Sequence, residues 1–122
     1  MEILVQIIQV VIALSLLMVW LVRPKMETGY RGGDAKNIKE EFGVYGLPYW
    51  FMLLIGTLKV GFALLLIAGL WVEHLTLASA IAIAILMAGA LVMHVKVKDP
   101  LKKSLPALTL LLLSVVVIFY NL

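Results

Sequence analysis

The stretch LPYWFMLLIGTLKVGFALLLIAGLW, residues 47–71, decides the fold because it is long and apolar enough to cross a lipid bilayer. It carries one charged residue, Lys59, near its centre. A lysine at that depth costs about 2.5 to 3.5 kcal/mol on membrane-insertion scales, and it normally faces protein or water rather than lipid. Lys59 is therefore the first candidate functional residue of this chain.

The rest of the chain is equally apolar. Of its 122 residues, 64% are hydrophobic and 14% are charged, and the mean hydropathy is +1.12. A soluble domain needs more polar surface than this, so the composition indicates an integral membrane protein. Three further apolar runs predict three more spans. We predict an all-α, four-transmembrane-helix bundle that forms one membrane domain, residues 1–122, with spans at about 3–22, 47–71, 75–95 and 104–120.

The basic residues predict the orientation of the bundle. Outside the spans they fall only between the first and second spans and between the third and fourth, and these loops share one side of a four-span chain. The positive-inside rule makes that side cytoplasmic, with both termini outside, in a cell (inner) membrane. The basic loops favour contact with anionic lipid head groups. No basic aromatic platform accompanies them, so no nucleic-acid partner is predicted.

The first loop is long enough to have structure of its own. Its segment DAKNIKEEF, residues 34–42, predicts a short amphipathic helix capped by Asp34, with Ile38 and Phe42 on one side. We expect this helix to lie on the cytoplasmic surface or to fold over the mouth of the bundle. Four aromatic residues are predicted to lie at the membrane interface: Trp20, Tyr45, Tyr49 and Trp50.

Small and polar residues predict how the helices pack. Ala80, Ala84 and Ala88 recur every fourth residue, which favours the third span as the central, closely packed helix. Gly56 lies on the same helical face as Lys59 and leaves space for the lysine or for a ligand. On the first span, Gln6 and Gln9 share a face that must avoid lipid. Two interpretations stay open for these glutamines: hydrogen bonds between helices, or a polar ligand cavity open to the outside.

Lys59 and His94 are predicted to lie in the same half of the membrane. The Lys59 side chain leans toward the start of its helix, which is the cytoplasmic side, and His94 lies near the cytoplasmic end of the third span. Our hypothesis is that both line one inward-facing pocket with Tyr49, and that Glu40 or Glu41 serves as a counter-ion. The alternative is a structurally paired lysine and a hydrogen-bonded histidine. The ligand-binding candidates are Lys59, His94, Tyr49, Gly56, Gln6 and Gln9.

The sequence offers no complete catalytic set. The chain has no cysteine, which excludes disulfides and thiolate chemistry by its own residues. The adjacent Glu73 and His74 are too few for a metal site, which needs three or four converging ligands. Asp99 and Pro100 indicate a turn and a helix start. We therefore predict no catalytic residue and no metal, and the sequence leans against an enzyme.

Two segments carry a family resemblance. The stretches YGLPYWFMLLIGTLKVGFALLLIAGLW, residues 45–71, and AGALVMHVKVKDPLKKSLPAL, residues 88–108, resemble the DoxX-like family of small four-helix membrane proteins. The shared marks are Gly56 three residues before a mid-helix ionisable position, His94 near the end of the third span, and the proline-containing loop that follows. The family tends to have a glutamate at the position that Lys59 occupies here.

The resemblance implies a range of functions. The family takes its name from a subunit of a thiosulfate:quinone oxidoreductase, and other members resemble partners of redox complexes or receptor-assembly chaperones. We expect a non-catalytic accessory or assembly subunit of a membrane complex, in contact with membrane lipids and with other subunits or copies of itself. The alternatives are a quinone- or lipid-binding oxidoreductase component, with quinone or lipid as the only possible cofactor, and a small oligomeric transporter that uses Lys59 as an anion site.

Overall fold

The chain folds as a bundle of four long helices and one short helix. The computed structural model describes residues 2–22 and 30–122. The long helices are α1 (Glu2–Leu17), α3 (Tyr49–Ala68), α4 (His74–Lys96) and α5 (Leu101–Tyr120), and the short helix is α2 (Ile38–Val44). A π-helical segment, Met18–Val22, continues α1. No strand occurs within the described ranges, and the predicted all-α class with four spans is confirmed.

Two helix starts differ from the prediction. The fourth span was expected to begin at Ser104, but α5 begins at Leu101, because Pro100 occupies the N-cap position in an extended conformation. Pro106 consequently lies inside α5 rather than at its start. In the first loop the N-cap residue of α2 is Asn37, whose side chain accepts a hydrogen bond from the Glu40 amide at 2.8 Å. The prediction that Asp34 is the N-cap residue of this helix is wrong.

The four long helices form a ring. Helix α1 packs against α3 and α5, and α4 packs against the same two helices, most extensively against α5. Helix α4 is therefore one member of the ring and not the central helix that its alanines predicted. Of those alanines, Ala80 is fully buried and Ala88 is exposed. The core lies inside the ring and is built from apolar residues of all four helices, including Ile12, Leu66, Ile83 and Val117.

The outer surface of the ring is apolar along the whole length of the helices. Large hydrophobic side chains that are about half exposed or more include Leu14, Leu53, Ile85 and Leu112. In water such a surface would drive aggregation, but in a bilayer it meets hydrocarbon. Each long helix, with the π-helical segment counted as part of the first, has the length and composition of a membrane span. The chain is a multi-pass membrane protein.

The two ends of the bundle differ in structure. One end, here called the basic end, is formed by residues 30–48 and by the turn at residues 97–100. The other end, here called the acidic end, is formed by the start of α1, the turn at residues 69–73 and the end of α5. Residues 30–48 fold over the basic end, and the segment's own side chains of Ile38, Phe42 and Tyr45 are buried. We call residues 30–48 the cap.

Candidate functional site: a capped cavity around Lys59

A cavity of about 410 Å³ lies under the cap, between the long helices. Its walls are mainly apolar side chains of α3, α4 and α5 together with the end of the first span. Its polar lining comprises Lys59 from α3, His94 from α4, Lys103 from α5, and Tyr30, Arg31, Glu41 and Tyr45 from the cap. Pockets of this size and composition, apolar with a few placed polar groups, are typical of small-molecule sites.

Lys59 reaches the cavity from the middle of α3. It lies ten residues after the first residue of that helix, which is roughly 15 Å along the axis at 1.5 Å per residue. Its Nζ atom lies 5.4 Å from the centre of the Trp20 ring, a cation–π contact. Among the described residues, no hydrogen bond or ion pair engages this amine. Lys59 thus faces an apolar cavity, and its amine still has N–H groups that can donate hydrogen bonds to a ligand.

Trp20 is held against α3 by a glycine. A Cβ atom at Gly56 would lie 2.6 Å from two ring atoms of Trp20, closer than real Cβ contacts come. Trp20 belongs to the π-helical segment, whose extra residue per turn changes the direction in which its side chains point. Gly56 and Lys59 are three residues apart and therefore share a face of α3. The glycine, the indole ring and the lysine form one wall of the cavity.

A line of rings connects this wall to His94. Phe42 lies 6.1 Å from Trp20 and 6.1 Å from Tyr45 between ring centres, and Tyr45 lies 6.0 Å from His94. The Tyr45 ring rests on Gly32, where any Cβ atom would collide with it. Offset and edge-on ring pairs at these distances each add about 0.5 to 1.5 kcal/mol beyond their buried area. The aromatic line closes the cavity at the basic end.

Glu41 and Tyr45 form the polar underside of the cap. One carboxylate oxygen of Glu41 accepts hydrogen bonds from the Gly32 amide at 2.7 Å and from the Tyr45 hydroxyl at 3.0 Å. Burial raises the pKa of Tyr45, and the charge and hydrogen bond of Glu41 raise it further, so the phenol stays protonated and donates. The charge of Glu41 also acts on the Lys59 amine. Glu41, and not Glu40, lines the cavity, and its role as the counter-ion of Lys59 stays a prediction.

Asp99 fastens the cap to the bundle. Its two carboxylate oxygens accept from the Gly33 amide at 3.0 Å and contact His94 Nδ1 at 2.8 Å, and its side chain is 5% exposed. Lys98, with φ +58°, ends α4 in the left-handed conformation, and the Asp99 and Lys98 amides donate back to the His94 and Val95 carbonyls. This reversal is a Schellman motif, and it brings Asp99 beside His94.

Two lysines complete the attachment of the cap. Lys96 Nζ donates to the Tyr45 carbonyl at 2.9 Å, and Lys103 Nζ donates to the Gly33 carbonyl. Burial acts to raise the pKa of Asp99, but the Gly33 amide, His94 and the charge of Lys103 together hold it below its usual value. Asp99 is therefore ionised, and the cap is fixed by charged groups from both α4 and α5.

The cavity also reaches the outer surface of the bundle. Ile85 and Gly89, one helical turn apart on α4, both line the cavity and both are exposed on the lipid-facing side. A Cβ atom at Gly89 would meet no other atom within 4 Å. Ile85 lies eleven residues before the end of α4, roughly 16 Å from it, and so at the depth of Lys59. We call this opening the side window.

The structure separates the sequence-predicted site residues into three groups. Lys59 and His94 line the cavity, and Gly56 supports its wall. Tyr49 lies outside it, 55% exposed, with Lys39 Nζ 5.3 Å from its ring centre. Gln6 and Gln9 lie at the acidic end and line a second cavity. Whether any of these residues binds a ligand stays a prediction.

The sequence did not predict two cavity residues, nor the residue that fastens the cap. Trp20 and Tyr45 were expected at the membrane interface, but both line the cavity, and Asp99 was expected only to form a turn. For Trp20 a signal was present in the sequence, because a glycine one turn before a mid-helix lysine marks a place where a large ring can approach. The pairing of Asp99 with Gly33 joins residues 66 positions apart, and no local pattern predicts it.

Comparison with known proteins gives one family and one relative. The model of the DoxX-like family matches residues 7–117. A protein of Bacillus subtilis (strain 168), described as uncharacterized protein YdgD, is 28% identical over 93 residues, which cover 71% of this chain and 82% of the relative. No solved structure matches.

Proposed function

The chain belongs to the DoxX-like family, and we propose that it is a non-catalytic subunit of a membrane redox-linked complex whose capped cavity binds a quinone head group. The single observation that carries the proposal is the Lys59 amine, which faces an apolar cavity and is engaged by no hydrogen bond from the described residues. A lysine is maintained within a membrane span only where protein, water or a ligand compensates its cost.

The chemistry of a quinone matches the lining of this cavity. A quinone is a flat apolar ring with two carbonyl oxygens, so it needs ring contacts, apolar walls and one or two hydrogen-bond donors. Trp20 offers an aromatic face, and Lys59, 5.4 Å above that ring, offers a donor. A volume of about 410 Å³ accommodates the ring and the first part of an isoprenoid tail.

The side window supports a ligand that arrives from the membrane. Exposed Ile85 and Gly89 open the cavity toward lipid, with Ile85 at the depth of Lys59, whereas Asp99, Lys96 and Lys103 fasten the cap over the basic end. A lipid-soluble molecule can enter sideways without crossing the cap. A water-soluble ion would have to displace it, which is why we favour a quinone over the anion expected for a transporter.

Most ionisable groups of the cavity are held by hydrogen bonds to neighbouring residues. His94 Nδ1 is engaged by Asp99, and one Glu41 oxygen already accepts two hydrogen bonds. Lys59 is the cavity cation that makes no hydrogen bond to the described residues, and we propose that it positions the quinone while electron transfer takes place in a partner subunit.

Lys59→Met is expected to weaken quinone binding at least tenfold, because a charge-assisted hydrogen bond to the quinone oxygen is lost while the length of the side chain is kept. The measurement is a titration of the purified protein in maltoside micelles with a short-tailed benzoquinone and a short-tailed naphthoquinone. Quenching of tryptophan fluorescence reports binding.

Lys39→Met is the matched control for this titration. Lys39 also holds its amine over an aromatic ring, that of Tyr49, but it lies outside the cavity. Its replacement should leave quinone affinity unchanged. Equal affinity of wild type and Lys59→Met, or equal loss in both variants, would contradict the proposal. Native mass spectrometry of the same preparations tests the second half, since a subunit should retain a larger protein partner.

A further inference from the structure

A second cavity, of about 340 Å³, lies at the acidic end of the bundle, far along the helices from Lys59. Its lining includes two carboxylates, Glu2 and Glu73, and the side-chain amides of Gln6, Gln9 and Asn121. No lysine or arginine lines it among the described residues. Acidic residues alone do not make a binding site, and the decisive observation concerns the amides.

Gln9 presents an unpaired oxygen to this cavity. The residue is 4% exposed, and its amide nitrogen donates to the Leu66 carbonyl at 3.3 Å and toward the Thr76 hydroxyl at 3.5 Å. Because a backbone carbonyl only accepts, the nitrogen must be the atom on that side. The Gln9 carbonyl oxygen is left on the other side, where no described residue donates to it and where it is not sealed from the cavity. An amide oxygen that opens into a cavity is an acceptor available to a ligand or to water.

Asn121 also lines this cavity and repeats the arrangement. Its amide nitrogen donates to the Val117 carbonyl at 2.8 Å, so its carbonyl oxygen is also the free atom. The Thr76 hydroxyl donates its one hydrogen to the Gly69 carbonyl at 3.1 Å, so it cannot donate to a ligand as well. The cavity therefore offers amide oxygens and negative charge, while the Gln9 and Asn121 amide nitrogens and the Thr76 hydroxyl donate to backbone carbonyls.

From these acceptors and the two carboxylates we propose that the acidic-end cavity binds a primary ammonium group. An ammonium carries three N–H donors and a positive charge, which matches amide oxygens and two carboxylates. Trp71 and Tyr120, both exposed at the rim, add aromatic faces that attract cations. The cavity lies at the end of the spans, at the depth of lipid head groups. The ammonium can belong to an aminophospholipid or to a small free amine.

The test is a calorimetric titration of the full chain in maltoside micelles with ethanolamine and with short-chain phosphatidylethanolamine. Choline and short-chain phosphatidylcholine, which carry the charge without N–H donors, serve as comparison ligands. We expect the primary amines to bind and Glu73→Gln to weaken them about tenfold through loss of one charge-assisted hydrogen bond. Binding of both primary amines identifies a general amine site, and binding of the lipid alone identifies the aminophospholipid.

Two control variants complete the design. Asp34→Asn also removes one exposed carboxylate, but at the basic end, and should leave affinity unchanged. Lys59→Met should also leave it unchanged, which separates this inference from the proposed quinone site. Equal affinity for phosphatidylethanolamine and phosphatidylcholine, or unchanged affinity in Glu73→Gln, overturns the proposal. Glu73 is exposed, so its replacement by glutamine leaves folding intact, and Glu2→Gln gives an independent second measurement.

Discussion

Asp99→Ala is expected to release the cap and to lower the free energy of unfolding by roughly 2 to 4 kcal/mol, because it leaves buried donors without their acceptor. The Gly33 amide and His94 Nδ1 both lose their partner, and the Lys103 charge loses its neighbour. The measurements are denaturant unfolding in mixed micelles and hydrogen exchange of residues 30–48. Exchange should increase in the cap more than in α3 or α5.

Asp34→Ala is the matched control, because Asp34 is exposed in the same cap. It should change the free energy of unfolding by less than about 0.5 kcal/mol. Hydrogen exchange in the cap that is identical for wild type and Asp99→Ala would show that Asp99 does not hold it.

The lowered pKa of Asp99 adds a pH dependence to the same prediction. A carboxyl whose pKa is lower in the folded protein than in the unfolded chain stabilises the fold fully at pH values above its ordinary pKa, near 3.9. That stabilisation is lost as the pH falls through the lowered value. Cap exchange in wild type should therefore rise below about pH 4, and in Asp99→Ala this part of the rise should be absent.

Gly56→Ala is expected to destabilise the bundle and to weaken quinone binding, although alanine favours a helix over glycine by about 1 kcal/mol. The new Cβ atom would lie 2.6 Å from Trp20, so the indole ring must move away from α3. Overpacking of this kind costs roughly 1 to 3 kcal/mol, which outweighs the gain in helix propensity. Because the Lys59 amine lies over the same ring, its position changes as well.

Gly61→Ala provides the opposite result within the same helix. A Cβ atom at Gly61 meets no other atom within 4 Å, so only the helix propensity changes. Its free energy of unfolding should stay level or rise by up to about 1 kcal/mol, with unchanged quinone affinity. Denaturant unfolding and the fluorescence maximum of Trp20 compare the two variants. If Gly56→Ala behaves like Gly61→Ala, Trp20 does not rest on Gly56.

The prediction from sequence succeeded where apolar length decides the structure. A run such as residues 47–71 can satisfy its backbone polar groups in lipid only as a helix, so the four spans and the all-α class follow from composition. Lys59 stood out for a similar reason, because a charge within such a run is costly wherever it faces lipid. Family membership, confirmed over residues 7–117, was readable from the two segments around Lys59 and His94.

The cap shows where local patterns were insufficient. Ile38 and Phe42 were expected on one side of a short helix, and both are buried. The N-cap residue of α2 was misplaced, because Asp34 and Asn37 are both acceptable N-caps by residue type, and it is Asn37 that has an extended backbone and accepts from the Glu40 amide. By residue type and position in the sequence, Tyr45 and Trp20 resemble interfacial aromatic residues. Both rings lie in the interior, because Gly32 and Gly56 have no Cβ atom to collide with them.

By itself the sequence determined that this chain crosses the membrane four times and that one lysine lies in the middle of a span. Only the tertiary structure decided what that lysine faces. The ring of helices places Lys59 over Trp20, and contacts from Asp99 and Lys103 close the cap above them. The physical reason is the distance along the sequence over which each effect acts. Hydrophobic length acts within a segment, whereas a cavity exists only where side chains distant in sequence fail to fill the space between their helices.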